Sequence, residues 1–170
     1  VEFIEFCASE EEAPYLGELL GTLGFAPVRR HRTKAVTRWR QGQINLVVNC
    51  ESEGFAHFFE SIHGTSVCAI GLRVPEAAAA MRRARELSIS AYRQPLGPGE
   101  FELPAVRGGG GSPLYFVQAD QSAGMWESEF ERLVGPGTAG DAGLLRVDHL
   151  AHAMQYDEML SWLLFHLALF

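Results

Sequence analysis

No apolar run in this 170-residue chain reaches the ~18 residues that a membrane-spanning helix needs. The longest, residues 162–170, is interrupted by His166. The N-terminus lacks the charged-then-apolar pattern of a secretion signal. Positive charge is also scarce, with 14 Lys and Arg against 21 Asp and Glu and a net charge of −7. A nucleic-acid surface wants the opposite balance, so no nucleic-acid partner and no membrane partner are expected. Cys7, Cys50 and Cys68 are too few and too scattered for a disulfide framework or a zinc knuckle. A reducing, cytoplasmic setting is the corresponding expectation. No HExxH or CxxC motif is present, nor a P-loop or dinucleotide fingerprint. An initiator Met is missing as well, and the chain stops inside an apolar helical pattern, so a piece of a longer protein is expected.

What is present suffices for a packed domain. Apolar residues make up 47% of the chain, which excludes a disordered one. Residues 1–7 (VEFIEFC) alternate at period two and read as a half-buried strand. Ser9 then offers an N-cap, with Glu10, Glu11 and Glu12 placed to suit a helix dipole. Leu16, Leu19, Leu20 and Leu23 recur at helical spacing, and Gly24 closes the helix. Strands are expected at 25–31, 35–40 and 44–50, and a short helix at 54–63. The scheme then restarts with a strand at 66–74, a helix at 76–87 and strands at 101–106 and 113–118. It begins a third time at 144–154 (LLRVDHLAHAM), read as a strand, followed by a helix opened by Tyr156 or Asp157.

Two such units make one module, so the fold class is α+β with helices packed on a curved, mostly antiparallel sheet. Residues 1–118 form a complete first module. Residues 119–143 read as a linker with an edge strand near Trp126, and residues 144–170 open a second module. The terminal helix is apolar nearly all round and expects cover on several sides.

Little in this pattern announces chemistry by itself. Six histidines (His31, His57, His63, His149, His152, His166) read first as hydrogen-bonded structural residues. His149 and His152 are three apart on an expected strand, so they should face opposite sides. Asp148 and His149 should likewise diverge. Gly108 to Gly111 reads as a hairpin turn, and Arg29, Arg30, Arg32 and Lys34 as a solvated strand end. Cys68 reads as a small buried hydrophobe.

Several segments nevertheless carry a resemblance. These are VEFIEF at 1–6, RQGQINL at 40–46 with Asn49, HGTSVCA at 63–69, ELPAV at 102–106 with the glycine turn, and VDHL at 147–150. Together with the repeated strand–helix–three-strand unit, they resemble the vicinal oxygen chelate superfamily, and more closely the 4-hydroxyphenylpyruvate dioxygenase family. That family includes the dioxygenase-like C-terminal region of bifunctional bacterial 3-dehydroshikimate dehydratases. The stretches YRQPLGPGE at 92–100 and YDEMLSW at 156–162 look more like this second branch.

The resemblance implies paired βαβββ units and a mononuclear Fe(II), or another divalent metal, held by two histidines and a glutamate in the second module. His149 matches the first histidine, and the other two ligands are expected beyond Phe170. Overlaying the repeats places Glu5 at the position of His149, Ala69 at that of the second histidine and Tyr115 at that of the glutamate. A carboxylate, a methyl and a phenol do not make a divalent-metal site, so the first module is expected to be degenerate and supporting. Glu5 then needs a neighbouring strand or a basic residue to satisfy it. The implied parent is an enzyme acting on a small oxo acid, and the chain alone is expected to be inactive with no metal tightly bound. A homo-oligomer is expected. The alternative is a non-catalytic assembly module, suggested by the degenerate first module and the apolar terminal helix.

Overall fold

The computed structural model describes residues 1–97, 99–133 and 142–170. The first unit runs β1 (Phe3–Cys7), α1 (Ala13–Thr22), β2 (Ala26–His31), β3 (Val36–Gln41) and β4 (Ile44–Asn49). Next comes α2 (Gly54–His63), which leads to the second unit. That unit contains β5 (Ser66–Val74), α3 (Ala77–Glu86), β6 (Ala91–Tyr92), β7 (Ala105–Arg107) and β8 (Pro113–Gln118). Then follow α4 (Ser122–Ser128), β9 (Phe130–Arg132) and α5 (Met159–Leu169). The nine strands form one mixed sheet in the order β6-β7-β8-β5-β1-β4-β3-β2-β9.

The repeat seen in the sequence is the symmetry of this sheet. β1 and β5 pair antiparallel at its centre. Each has a parallel neighbour on its outer side, β4 for β1 and β8 for β5. Antiparallel strands then extend each half outward. Period-two alternation sorts the side chains onto two faces. On the outer face, Ile4, Leu46 and Val48 pack with Leu20 of α1, while Leu114 and Phe116 pack with Ala77 and Ala84 of α3. The inner face carries Phe3, Val47, Tyr115 and Val117, packed with Met125, Trp126 and Phe130.

Four local expectations need correction. The first helix begins at Ala13 rather than after Ser9. Starting at Ser9 would put Pro14 inside the helix, where its ring meets the carbonyl four residues back. Ser9 caps a preceding turn instead, its Oγ accepting from the Glu12 amide at 3.2 Å. The strand expected at 101–106 shrinks to β7, and the short β6 supplies the remaining strand of the second unit. Within residues 119–143, read as a linker, α4 and β9 are ordered parts of the sheet layer. Trp126 lies in the helix, and the edge strand begins at Phe130. Residues 134–141 of that stretch lie outside the described residues.

The largest departure concerns 144–154, which forms no strand. A strand needs a ladder of backbone partners. The segment instead docks on the β3–β4 turn. The Gln43 amide donates to the Leu145 carbonyl at 3.4 Å, and Gln41 Oε1 accepts from the amides of Ala142 and Leu144 at 3.1 and 3.0 Å. The following helix forms as expected, with Tyr156 to Glu158 as its opening turn. Among the described residues, no helix is long and apolar enough to cross a membrane.

Glu2 ties these layers together. Its side chain is almost wholly buried. Oε2 accepts from the Arg73 Nε and Nη2 at 2.8 and 2.6 Å, and Oε1 accepts from Ser122 Oγ at 2.5 Å and Trp126 Nε1 at 3.2 Å. Burial pushes its carboxyl up, but the hydrogen bonds from Ser122, Arg73 and Trp126 outweigh it and leave the pKa below the ordinary value. A lowered carboxylate pKa stabilises the fold above the unfolded value near ~4.3, and the contribution is lost as pH falls through the folded value. Glu2→Gln should therefore lower the unfolding free energy at about pH 6, and should flatten its fall toward about pH 3. Urea titrations of both proteins at the two pH values check this.

Phe3 makes a second constraint. A methyl at Gly71 would lie 2.3 Å from its ring. Gly71→Ala should cost about 1–3 kcal/mol by forcing Phe3 from the inner core. An unchanged urea midpoint would remove Phe3 packing as the reason for glycine there.

Candidate functional site

The inner face holds the positions that the sequence singles out in the first module. Glu5 and Ala69 are register partners across the central β1–β5 pair. Tyr115, on β8, lies with its ring tilted 5.9 Å from that of Phe3, two residues before Glu5 on the same face. All three residues line one open cavity beside α2. The structure thus brings Glu5, Ala69 and Tyr115 together, and they offer one carboxylate, one methyl and one phenol.

Each polar group there already has a partner. Glu5 Oε1 accepts from Asn49 Nδ2 at 2.7 Å, so the neighbouring strand β4 satisfies it. Burial pushes the Glu5 carboxyl above the ordinary range, against the Asn49 hydrogen bond and the Lys34 charge. Burial and the nearby Glu5 charge also push the Tyr115 phenol up, and its hydroxyl donates to Gln94 Oε1 at 3.3 Å. Lys34 is ion-paired with Glu100 at 2.8 Å. His31 Nδ1 accepts from the Thr33 and Lys34 amides, both at 3.2 Å, which leaves Nε2 facing Glu129 at 3.7 Å. Burial pushes the His31 pKa down, with Glu129 pulling the other way. A smaller cavity of about 120 Å³ lies among Glu5, His31, Lys34, Tyr115 and Trp126.

The centre of the inner face is plugged. Met125 and Trp126 of α4 and Phe130 of β9 are buried against it. Trp126 lies 6.0 Å from the Phe3 ring and 5.2 Å from Phe130. Sequence reasoning missed this plug because residues 119–143 are rich in Gly, Ser and acidic residues. The signal was the spacing of Met125, Trp126 and Phe130, three large apolar residues inside a polar stretch.

His149 is placed elsewhere and stands apart. Its side chain is 82% exposed, and Nδ1 lies 3.0 Å from Asp148 Oδ2. The expectation that these neighbours diverge is corrected, because it assumed strand alternation and the segment is not a strand. His152 packs against Gly109 of the glycine turn, where an added methyl would meet its ring. That turn joins β7 to β8 as expected. Cys68 is fully buried, and all three cysteines are free thiols. Among the described residues, no three His, Cys, Asp or Glu side chains converge as a metal site. The described residues do not by themselves fit the metal that the resemblance implies.

Comparison with known proteins agrees with this architecture. A 3-dehydroshikimate dehydratase from Pseudomonas aeruginosa is 43% identical over the whole chain, which spans 27% of that protein's length. A 4-hydroxyphenylpyruvate dioxygenase from Pseudomonas sp. is 36% identical over 99% of the chain, which spans 47% of its length. The solved structure of a fusion between a xylose isomerase-like TIM barrel and a 4-hydroxyphenylpyruvate dioxygenase superposes with a TM-score of 0.89 at 40% identity. It covers all of this chain, which is 27% of that protein. The chain thus spans between about a quarter and a half of the relatives it matches. A family model described as hydroxyphenylpyruvate dioxygenase, N-terminal, matches residues 1–153. The paired-unit sheet, its α+β class and this match together place the chain in the hydroxyphenylpyruvate dioxygenase N-terminal family.

Proposed function

We propose that this chain is the supporting first module of a dioxygenase-like region in a larger enzyme of the 3-dehydroshikimate dehydratase branch. The observation that carries the reading is the plugged inner face, where among the described residues Glu5 is not joined by the several convergent ligands that a metal module needs. The relatives at 43% and 40% identity, a dehydratase and a barrel fusion, support this branch over the dioxygenase proper. In this reading the dehydration of a small oxo acid belongs to a barrel domain outside the chain. Residues 1–118 together with α4 and β9 form the first module, and 144–170 lead into the second.

The proposal gives His149 one role, as a single ligand of Fe(II) or another divalent metal in the second module. Its ring is exposed and bonded only to Asp148 among the described residues, so it is free to be recruited. The apolar residues after it favour such cover, because Leu160, Leu163, Leu164 and Leu167 are all more than half exposed. A cytoplasmic setting and a homo-oligomeric parent complete the proposal.

In the intact parent, His149→Ala should lower bound iron severalfold or more, measured by elemental analysis after purification. Unchanged metal content would remove His149 from the ligand set. Glu5→Gln should behave oppositely. Because the Glu5 pKa is raised, its ionised form burdens the fold as pH rises past the unfolded value. The amide keeps the Asn49 contact and carries no charge. Glu5→Gln should therefore raise the urea midpoint at neutral pH, with a gain that shrinks toward about pH 4, and should leave metal content unchanged. Loss of metal from this variant would show that the first module contributes a ligand.

A further inference from the structure

The arginines of the inner face are not absorbed by the reading above. Arg38 on β3 lies opposite Arg29 on β2, and Arg29 lies opposite Arg132 on β9. Cross-strand partners project from the same face, so three guanidinium groups share one row across three adjacent strands. Arg40, two residues after Arg38 on β3, joins them. All four line an open cleft of about 760 Å³, whose far wall is α4. The protein as a whole carries a net charge of −7, so this local excess runs against its balance.

The row is costly as it stands. Like charges directly opposite each other in a sheet repel. Arg38 is only 7% exposed and stacks on the Trp126 ring at 4.1 Å. Burial pushes its pKa down to about 10, and Arg40 and Arg29 push it the same way, against a smaller upward pull from the Glu2 charge. A buried arginine ordinarily finds a carboxylate. Among the described residues, none of Arg29, Arg38, Arg40 and Arg132 is ion-paired. Their recorded bonds go to neutral oxygens. Arg38 Nε and Nη2 donate to Asn45 Oδ1 at 3.1 and 2.7 Å, Arg29 Nη1 to the Phe130 carbonyl at 2.9 Å, and Arg40 Nε to the Gly42 carbonyl at 3.0 Å. An arginine has five N–H donors, so each keeps donors to spare. The acids on the cleft are Glu2, which is committed to Arg73, and the exposed Glu127 on α4.

From the unneutralised row, the buried Arg38 and the cleft in front of them, we infer an anion site for a small oxyanion carrying two or more negative charges. A phosphoryl group or a pair of carboxylates matches the planar, forked donors of arginine. Binding would relieve the repulsion that the row carries when empty. Trp126 forms the floor beneath Arg38, so its indole signal reports occupancy.

The test titrates the 170-residue chain with inorganic phosphate, and separately with malonate, at constant ionic strength made up with chloride. The indole N–H resonance of Trp126 is followed by NMR. Saturable shifts are expected with at least one anion, and their ranking separates a phosphoryl from a dicarboxylate ligand. Arg40→Gln combined with Arg132→Gln should weaken binding about tenfold or more, since both residues are exposed and their loss spares the core. Arg38→Gln should weaken it as well, provided the variant stays folded. Arg30→Gln changes an exposed charge that does not line the cleft and should leave affinity within about twofold. Absence of saturation with both anions would overturn the site. Equal weakening by Arg30→Gln would do so too, by showing only a diffuse response to net charge.

Discussion

A carboxylate at the second residue of the chain decides how the inner face is used. Glu2 is buried, and buried charge is tolerated only when paired and fully hydrogen-bonded. Arg73 neutralises it, while Ser122 and Trp126 complete its shell. The two halves of that shell come from β5 and from α4, more than a hundred residues from Glu2 in the second case. Removing any partner leaves an expensive orphan, so the contact fixes α4 across the sheet. The Glu2 carbonyl extends the network by accepting from Asn45, whose Oδ1 holds Arg38. One acid therefore positions the tryptophan plug and, through Asn45, the arginine above it.

The plug has a consequence for the whole inner face. It divides that face into two unlike ends. On one side lie Glu5, Asn49, Lys34 and Tyr115, where nearly every polar group is matched by a partner in the chain. On the other lie Arg29, Arg38, Arg40 and Arg132, where among the described residues it is not. The symmetry of the paired units does not predict this difference. It arises because β9 extends only one half of the sheet and adds its own arginine to the row.

Much of this architecture was legible in the residues. Period-two alternation marked β1, strands were expected where β4, β5 and β8 lie, and Gly24 marked the end of α1, since its φ of +87° suits glycine. The positions Glu5, Ala69 and Tyr115 were singled out by overlaying the units on the ligand positions that the resemblance implies, and Glu5 and Ala69 do pair across the centre of the sheet. Other features depended on contacts far apart in sequence. Pro14 moved a helix start that Ser9 and three acids had advertised. The α4 plug was hidden by its polar setting, and its position depends on a bond to residue 2. A composition reading cannot weigh one long-range hydrogen bond against ten residues of loop-like sequence.

The stretch 144–154 shows where such reading stops. The stretch reads as a strand, and Val147 does turn toward the core of the first half. Alternation encodes which face of a strand would be apolar, but a strand also needs edges to pair with. The lateral edges of this sheet are the short strands β6 and β9, of two and three residues, which offer little ladder to extend. The stretch meets the sheet at the tip of the β3–β4 turn, where Gln41 supplies side-chain bonds in place of a ladder. Most of its residues are exposed, so water can satisfy the backbone without imposing strand geometry. The same residues would become a strand beside a suitable edge, so the pattern specifies a partner's face as much as its own conformation. That is why His149 could be singled out by type and spacing, while its neighbourhood depended on what the surrounding chain provides.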